Sequence, residues 1–371
     1  MPARLLLILA LCSLCPLGFA FPARGQDFVQ ATQPRQWQFP RDHGRHDGYK
    51  TEWWYFTGNL ADEAGRRFGY QLTFFRSQLA PPAGAATRPA TRPSSWAVKD
   101  LYLAHAAISD LGNQKFEFRD RVQRGREGLA GASDRTLDVR LLDWQATLRD
   151  DGTIALVAKD GDFAIDLVCA VERGPILQGD CGLSPKGIKP GQASHYYSLT
   201  RLRTTGTITI GGVATNVAGL SWMDQEFSSN VLADHQTGWD WLSLQLDDGR
   251  DLMVFRLRNE QHATDFASAT IIDPDGKTTP VDGSKVKMAG SEPWTSPKSG
   301  GTYPLRWDIT VEGFGPVTVR AAMPGQELVT TGTTNVSYFE GAVEALDAAG
   351  KVIGRGYLEM TGYAKPMRGG F

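Results

Sequence analysis

The sequence is poor in cysteine, holds no basic block and keeps no helical apolar repeat for long, and each shortage excludes something. Lys plus Arg number 39 against 41 Asp plus Glu, with no basic run beyond a few residues, so the electrostatic footprint of a nucleic-acid binder is missing. At 41% hydrophobic and 22% charged residues the chain is neither a coiled coil nor a disordered tail, and 41 Gly without a collagen period excludes a triple helix. No Gly-x-Ser-x-Gly elbow occurs, which removes the α/β-hydrolases. No dinucleotide fingerprint opens a helix, no cysteine spacing beyond the first 25 residues suits zinc, and Gly276-Lys277-Thr278 lacks the leading glycine of a phosphate loop. No cofactor is therefore expected.

Arg4 supplies a short positive start, and residues 5–20 form an uncharged, nearly continuous apolar run. This reads as a signal peptide over residues 1–25, with cleavage after Ala20 or after Gly25 both satisfying the small-residue rule. About 16 apolar residues fall short of the roughly 20 that a spanning helix needs, and no later stretch could cross a membrane as a helix. The expected location is the periplasm or the exterior. Cleavage would remove Arg4, Arg24 and no acid, taking the formal charge from −2 to −4. It would also discard Cys12 and Cys15. Cys169 and Cys181 remain, and an even pair in an exported chain predicts a disulfide around Arg173-Gly174-Pro175.

What the chain has in abundance is the short strand followed by an acidic turn ending in glycine. Asp62-Glu63-Ala64-Gly65, Asp150-Asp151-Gly152, Asp247-Asp248-Gly249, Asp273-Pro274-Asp275-Gly276 and Asp347-Ala348-Ala349-Gly350 each follow an apolar run. Such punctuation predicts hairpins and an all-β chain of antiparallel barrels or sandwiches. A faint repeat sets the domain count. Trp53-Trp54-Tyr55-Phe56-Thr57 resembles Trp239-Asp240-Trp241-Leu242-Ser243 at an offset of 186 residues, and each is followed by an acidic turn and a second apolar strand. Ala104-His105-Ala106-Ala107-Ile108 echoes Ala267-Ser268-Ala269-Thr270-Ile271. The expected division is an N-terminal β-domain over 26–205 and a C-terminal one over 206–371. Residues 81–95 and 289–304 are rich in Pro and Gly and are expected as long loops.

The segment Trp222-Met223-Asp224-Gln225-Glu226-Phe227 carries the chemistry. In an extended chain period two places Trp222, Asp224 and Glu226 on one face. A carboxyl group in an aromatic, poorly hydrated setting has its pKa raised and can donate a proton near neutral pH. It could protonate an olefin while neighbouring rings stabilise the carbocation. Asp224, Glu226 and Asp240 are the candidate acids. The plainer reading is that these carboxylates bond backbone amides or arginine at the domain junction. Aromatic side chains on alternating strands are core fillers first, yet a barrel lined by them often encloses a lipophilic ligand. Trp53, Trp54, Tyr55, His105, Tyr196, Trp222, Trp239, Trp241, Tyr338 and Glu340 are the candidate ligand-binding residues. Asp42-His43-Gly44-Arg45-His46-Asp47 has metal-ligand chemistry, but a polar loop fixing its own turns is the favoured reading, and no metal is assigned.

Residues 39–60, with Glu52-Trp53-Trp54-Tyr55 at their centre, resemble the opening signature of the AttH and hydroxyneurosporene synthase (carotenoid 1,2-hydratase) family. Three further segments agree in order: Gly182 to Gly187 with Ser194 to Ser198, the Trp222 to Phe227 run, and Tyr338 to Gly341 with Gly356 to Tyr363. The resemblance spans essentially the whole chain after the leader. It implies two lipocalin-like β-barrel domains. It also implies a spread of functions: hydration of carotenoid double bonds, pericyclase chemistry as in fungal relatives, or a lipocalin-like protein without chemistry of its own, such as a lipophilic-ligand carrier beside an ABC transporter, as AttH-like proteins suggest. The hydratases' His-x-Trp and Tyr-x-Asp pairs are replaced here by Gln225-Glu226-Phe227 and Phe255-Arg256-Leu257. Any general acid must then come from another carboxylate. The leading expectation is an exported carrier of a lipid or isoprenoid; the alternative is a cofactor-independent lyase or isomerase.

Overall fold

Each of the five acidic-glycine turns joins two antiparallel strands. Gly65 and Gly249, at equivalent turns of the repeat, take φ of 82° and 90°, a left-handed backbone that glycine enters without steric cost. The computed structural model describes residues 27–81, 98–230 and 232–367. The leader with Cys12 and Cys15, and nearly all of the 81–95 segment, lie outside the described residues.

Among the described residues, two antiparallel sheets of 13 and 10 strands make an all-β, lipocalin-like chain, one sheet curling into a nearly closed barrel. The first sheet opens with the meander Thr51–Ala61, Arg67–Gln78, Asp100–Asp110 and Lys115–Arg124. Its closing strands, Ala193–Ile210 and Val213–Ser228, return so that the last lies beside the first. The second sheet repeats the plan. It opens with Gln236–Leu246, Asp251–Asn259, Thr264–Ile272 and Thr278–Asp282, and its last strand, Val352–Met360, pairs with Gln236–Leu246. The sheets change over between Ser228 and Gln236. The expected join at 205/206 cuts the strand Ala193–Ile210, because the repeat marks where each unit starts while the first unit's closing hairpin has no sequence echo.

Both sheets fill their own interiors. Trp54, Phe56, Phe74, Trp144 and Met223 pack inside the first, and Leu242, Leu244, Tyr303, Trp307 and Phe339 inside the second. The opposite faces of the leading strands meet each other: Tyr55, Tyr196 and Trp222 pack with Trp241, Met253, Phe255 and Tyr357 across the seam. Polar contacts pin it. Tyr55 donates to Glu340 at 2.7 Å, Trp241 Nε1 to the Tyr196 hydroxyl at 3.0 Å, and Gln245 Nε2 to the carbonyls of Thr200 and Ser221. Asp251 receives Arg201 at 2.8 Å and also Arg173.

Two expectations fail here. Residues 289–304 are mostly strand, Val286–Thr295 pairing with Thr302–Val311; Pro293 and Pro304 face each other in register, so neither interrupts the ladder around them. Cys169 and Cys181 are not bonded. Cys169 points into the first sheet's packed interior, fully buried near Thr204, whereas Cys181 sits exposed in a turn at φ 49°. A thiol titration of the chain from Gln26 onward is expected to find one fast-reacting group in the native state and two after denaturation. A disulfide would give none in either.

Candidate active site

The site lies in the seam, and cross-strand register builds it. In the first sheet Tyr55 is paired with Asp224 and Trp53 with Glu226; in the second Trp241 is paired with Glu359. Tyr55 and Trp241 are equivalent positions of the 186-residue repeat, so Asp224 and Glu359 occupy matching places on the closing strands of their sheets. Packing the sheets outer face to outer face brings the two carboxyls to one cleft. Its lining also includes Phe75, Lys186, Tyr196, Trp239, Phe255 and Leu257, and it measures about 70 Å³. Trp53, Trp239 and Glu359 are largely buried but reach the surface at the mouth, while Tyr55, Tyr196, Asp224 and Trp241 are buried at the floor.

Alternation along Val213–Ser228 works as period two requires. Met223 and Gln225 face the first sheet's interior, where Gln225 bonds Glu52 and the Gly44 carbonyl, and Phe227 packs on His46 and Tyr49 of the entry segment; Trp222, Asp224 and Glu226 face the seam. Asp224 accepts from Trp222 Nε1 at 2.7 Å, Ser198 at 2.5 Å and Tyr196 at 2.8 Å. Burial nevertheless pushes its pKa up to about 7; the three donors oppose that rise and the nearby Glu226 adds to it. Glu359 accepts from Trp239 Nε1 at 2.8 Å and rises to about 8, again by burial, with repulsion from Glu226 and Asp224. Glu226 differs, since Lys186 Nζ stands 2.9 Å away and Ser194 also donates to it.

The remaining predicted residues fall elsewhere. Asp240 lies on the opposite face of its strand from Trp239 and Trp241. It is fully buried against Arg256 at 2.7 Å and Arg258 at 3.1 Å, an ion-pair role away from the cleft. Trp54 turns into the first sheet's interior and donates to the His43 carbonyl. Trp222 does not line the cleft but backs Asp224 and meets Trp241 edge-on at 6.4 Å. Glu340 lies behind Tyr55, with its pKa raised well above the ordinary value by burial and by the neighbouring Glu359. His105 and Tyr338 meet at 2.6 Å in a separate patch of the seam; burial drops the imidazole to about 3.

The Asp42 to Asp47 loop spends its polar groups on itself and on the first sheet. Arg35 and Arg41 cover Asp42; His46 bridges Asp42 and Glu52 and stacks on Phe227 at 3.7 Å. Among the described residues no group of three or more His, Cys, Asp or Glu is placed to hold a metal. Five lining residues were not singled out in the sequence: Phe75, Lys186, Phe255, Leu257 and Glu359. Lys186 and Glu359 lie within the family segments, and the repeat combined with strand register would have pointed to Glu359.

The crystal structure of an AttH protein from Nitrosomonas europaea is similar at 31% identity and a TM-score of 0.81, covering 91% of this chain and all of that one. Kievitone hydratase from Nectria haematococca shares the fold at 14% identity and a TM-score of 0.66, covering 93% of this chain and 99% of its own. No curated protein matches the chain in sequence. Residues 30–363 match the AttH-like family, and the chain belongs to it.

Proposed function

We propose that this protein is a cofactor-independent acid catalyst acting on the unsaturated end of a lipophilic molecule. The observation that carries the reading is Asp224, a buried carboxyl that holds its proton up to about pH 7 at the floor of an aromatic cleft. A neutral acid transfers its proton to one alkene carbon, and the cation at the other carbon lies against the faces of Tyr55, Trp239 and Trp241. Water captures the cation and its proton returns to the Asp224 carboxylate, so that an alkene and water become an alcohol and the acid is regenerated. Loss of a neighbouring proton instead gives an isomer. A hydratase on the same fold supports the reading by analogy of fold alone.

Cleft size favours chemistry over transport of a whole lipid. Pockets that enclose drug-sized ligands run to roughly 300–1,000 Å³. A space of about 70 Å³ takes the reacting end of a longer molecule whose remainder lies at the mouth, and both sheet interiors are filled by side chains. Export by the leader, and an ABC transporter that delivers or removes the ligand, belong to the same proposal. The leader and the family resemblance support them.

With a polyene or terpenoid alkene as substrate, Asp224→Asn is expected to cut turnover by at least about a hundredfold with ligand affinity within twofold, the usual size of a lost general acid. Unchanged turnover contradicts the assignment. The pH dependence of stability gives a second check. The folded pKa of about 7 stands above the ordinary 3.8, so the native state keeps a proton that the unfolded chain releases. That contribution is complete below pH 3.8 and is lost as pH rises through 7. Denaturant unfolding should therefore show Asp224→Asn gaining on the native chain between pH 4 and 8, by on the order of a few kcal/mol. A pH-independent difference would show that Asp224 is ionised throughout.

A further inference from the structure

Two of the three carboxyls in the seam cleft are met by uncharged donors alone. Asp224 takes its hydrogen bonds from Trp222, Ser198 and Tyr196, and Glu359 from Trp239. Lys186, the one basic side chain among the described lining residues, is paired with Glu226. Lys186 also shows how this lining receives a positive charge. Its ammonium is buried, 4.1 Å from the centroid of Phe255 and 5.3 Å from that of Tyr196, so a desolvated cation already rests on aromatic faces there. Ring faces carry the negative part of the aromatic quadrupole and hold cations most strongly where water is excluded. Beyond Lys186, the cleft still presents Trp53, Tyr55, Trp239 and Trp241, with Asp224 and Glu359 among them.

From this arrangement we infer that the seam cleft binds organic cations in their ground state: a quaternary ammonium or protonated amine on a short apolar chain. The compact head fills the space between the tryptophans, and the chain leaves past Trp53 and Trp239. Bound beside Asp224 and Glu359, an ammonium group favours the carboxylate form of either side chain, so cation binding is expected to release a proton and to strengthen as pH rises toward 8. Cation binding shares its cavity with acid catalysis but uses the ionised carboxyls where catalysis uses the protonated ones, so either can fail without the other. It also makes such cations competitive inhibitors of the proposed reaction, because they resemble its carbocation in charge and shape.

The test uses choline and its uncharged isostere 3,3-dimethylbutan-1-ol, titrated against the tryptophan fluorescence of the full chain at pH 9, above the titration of both carboxyls, and at constant ionic strength. Choline is expected to bind at least tenfold more tightly than the alcohol. Glu359→Gln, which keeps the side chain's shape and is checked for folding by near-ultraviolet circular dichroism, is expected to lose at least tenfold in choline affinity. Equal affinity for the two probes would overturn the inference, as would no choline binding. Choline binding that Glu359→Gln and Asp224→Asn both leave unchanged would place the cation elsewhere and overturn it too. None of these results bears on whether Asp224→Asn turns over an alkene.

Discussion

Each leading strand of this protein is buried on both faces. In Thr51–Ala61, Trp54 and Phe56 serve the interior of the first sheet while Trp53 and Tyr55 turn outward; in Gln236–Leu246, Leu242 and Leu244 turn inward while Trp239 and Trp241 turn outward. An isolated sheet with that outer face would expose a large apolar patch to water. Burial of the two patches against each other relieves this, and the seam follows. The geometry of the site is therefore a by-product of how two copies of one β-plan cover each other.

The cost falls on the polar groups carried into the seam. A buried carboxyl must be hydrogen-bonded, paired or neutral. All three solutions occur within a few residues. Asp251 is paired with Arg173 and Arg201, Asp240 with Arg256 and Arg258, and Glu226 with Lys186. Asp224 and Glu359 have only neutral donors and keep their protons near neutrality instead. What faces a carboxyl and how deeply it is buried both count, since burial also raises Asp251 against the pull of Arg201 and Arg173. Asp240 is as buried as Asp224 and is paired with two guanidinium groups.

Much of this was legible in the sequence because strands and turns have local signatures. The acidic-glycine turns fixed hairpins, the Trp53 and Trp239 echoes located both leading strands, and period two put Asp224 and Glu226 on the seam face together. The misses share a cause: they depend on partners distant in the chain. Asp240 was drawn into the acid set by its tryptophan neighbours, although alternation sends it to the opposite face. Cys169 and Cys181 looked like a pair by count, yet one faces a packed interior and the other a surface turn. The end of the first unit was misplaced because its closing hairpin, Ala193–Ile210 with Val213–Ser228, is longer than its counterpart. Lys186 and Glu359 could not be ranked without knowing that two closing strands meet at one cleft.

Acid chemistry in the cleft requires a neutral carboxyl at position 224, and its protonation can be observed without any ligand. Infrared difference spectra of the native chain minus Asp224→Asn, taken through a pH titration, isolate the carbonyl stretch of that protonated acid. The expected result is a band present at pH 5 and 6 that disappears with a midpoint near 7. A carboxylate signal already complete by pH 5 would contradict it and return Asp224 to a purely structural role.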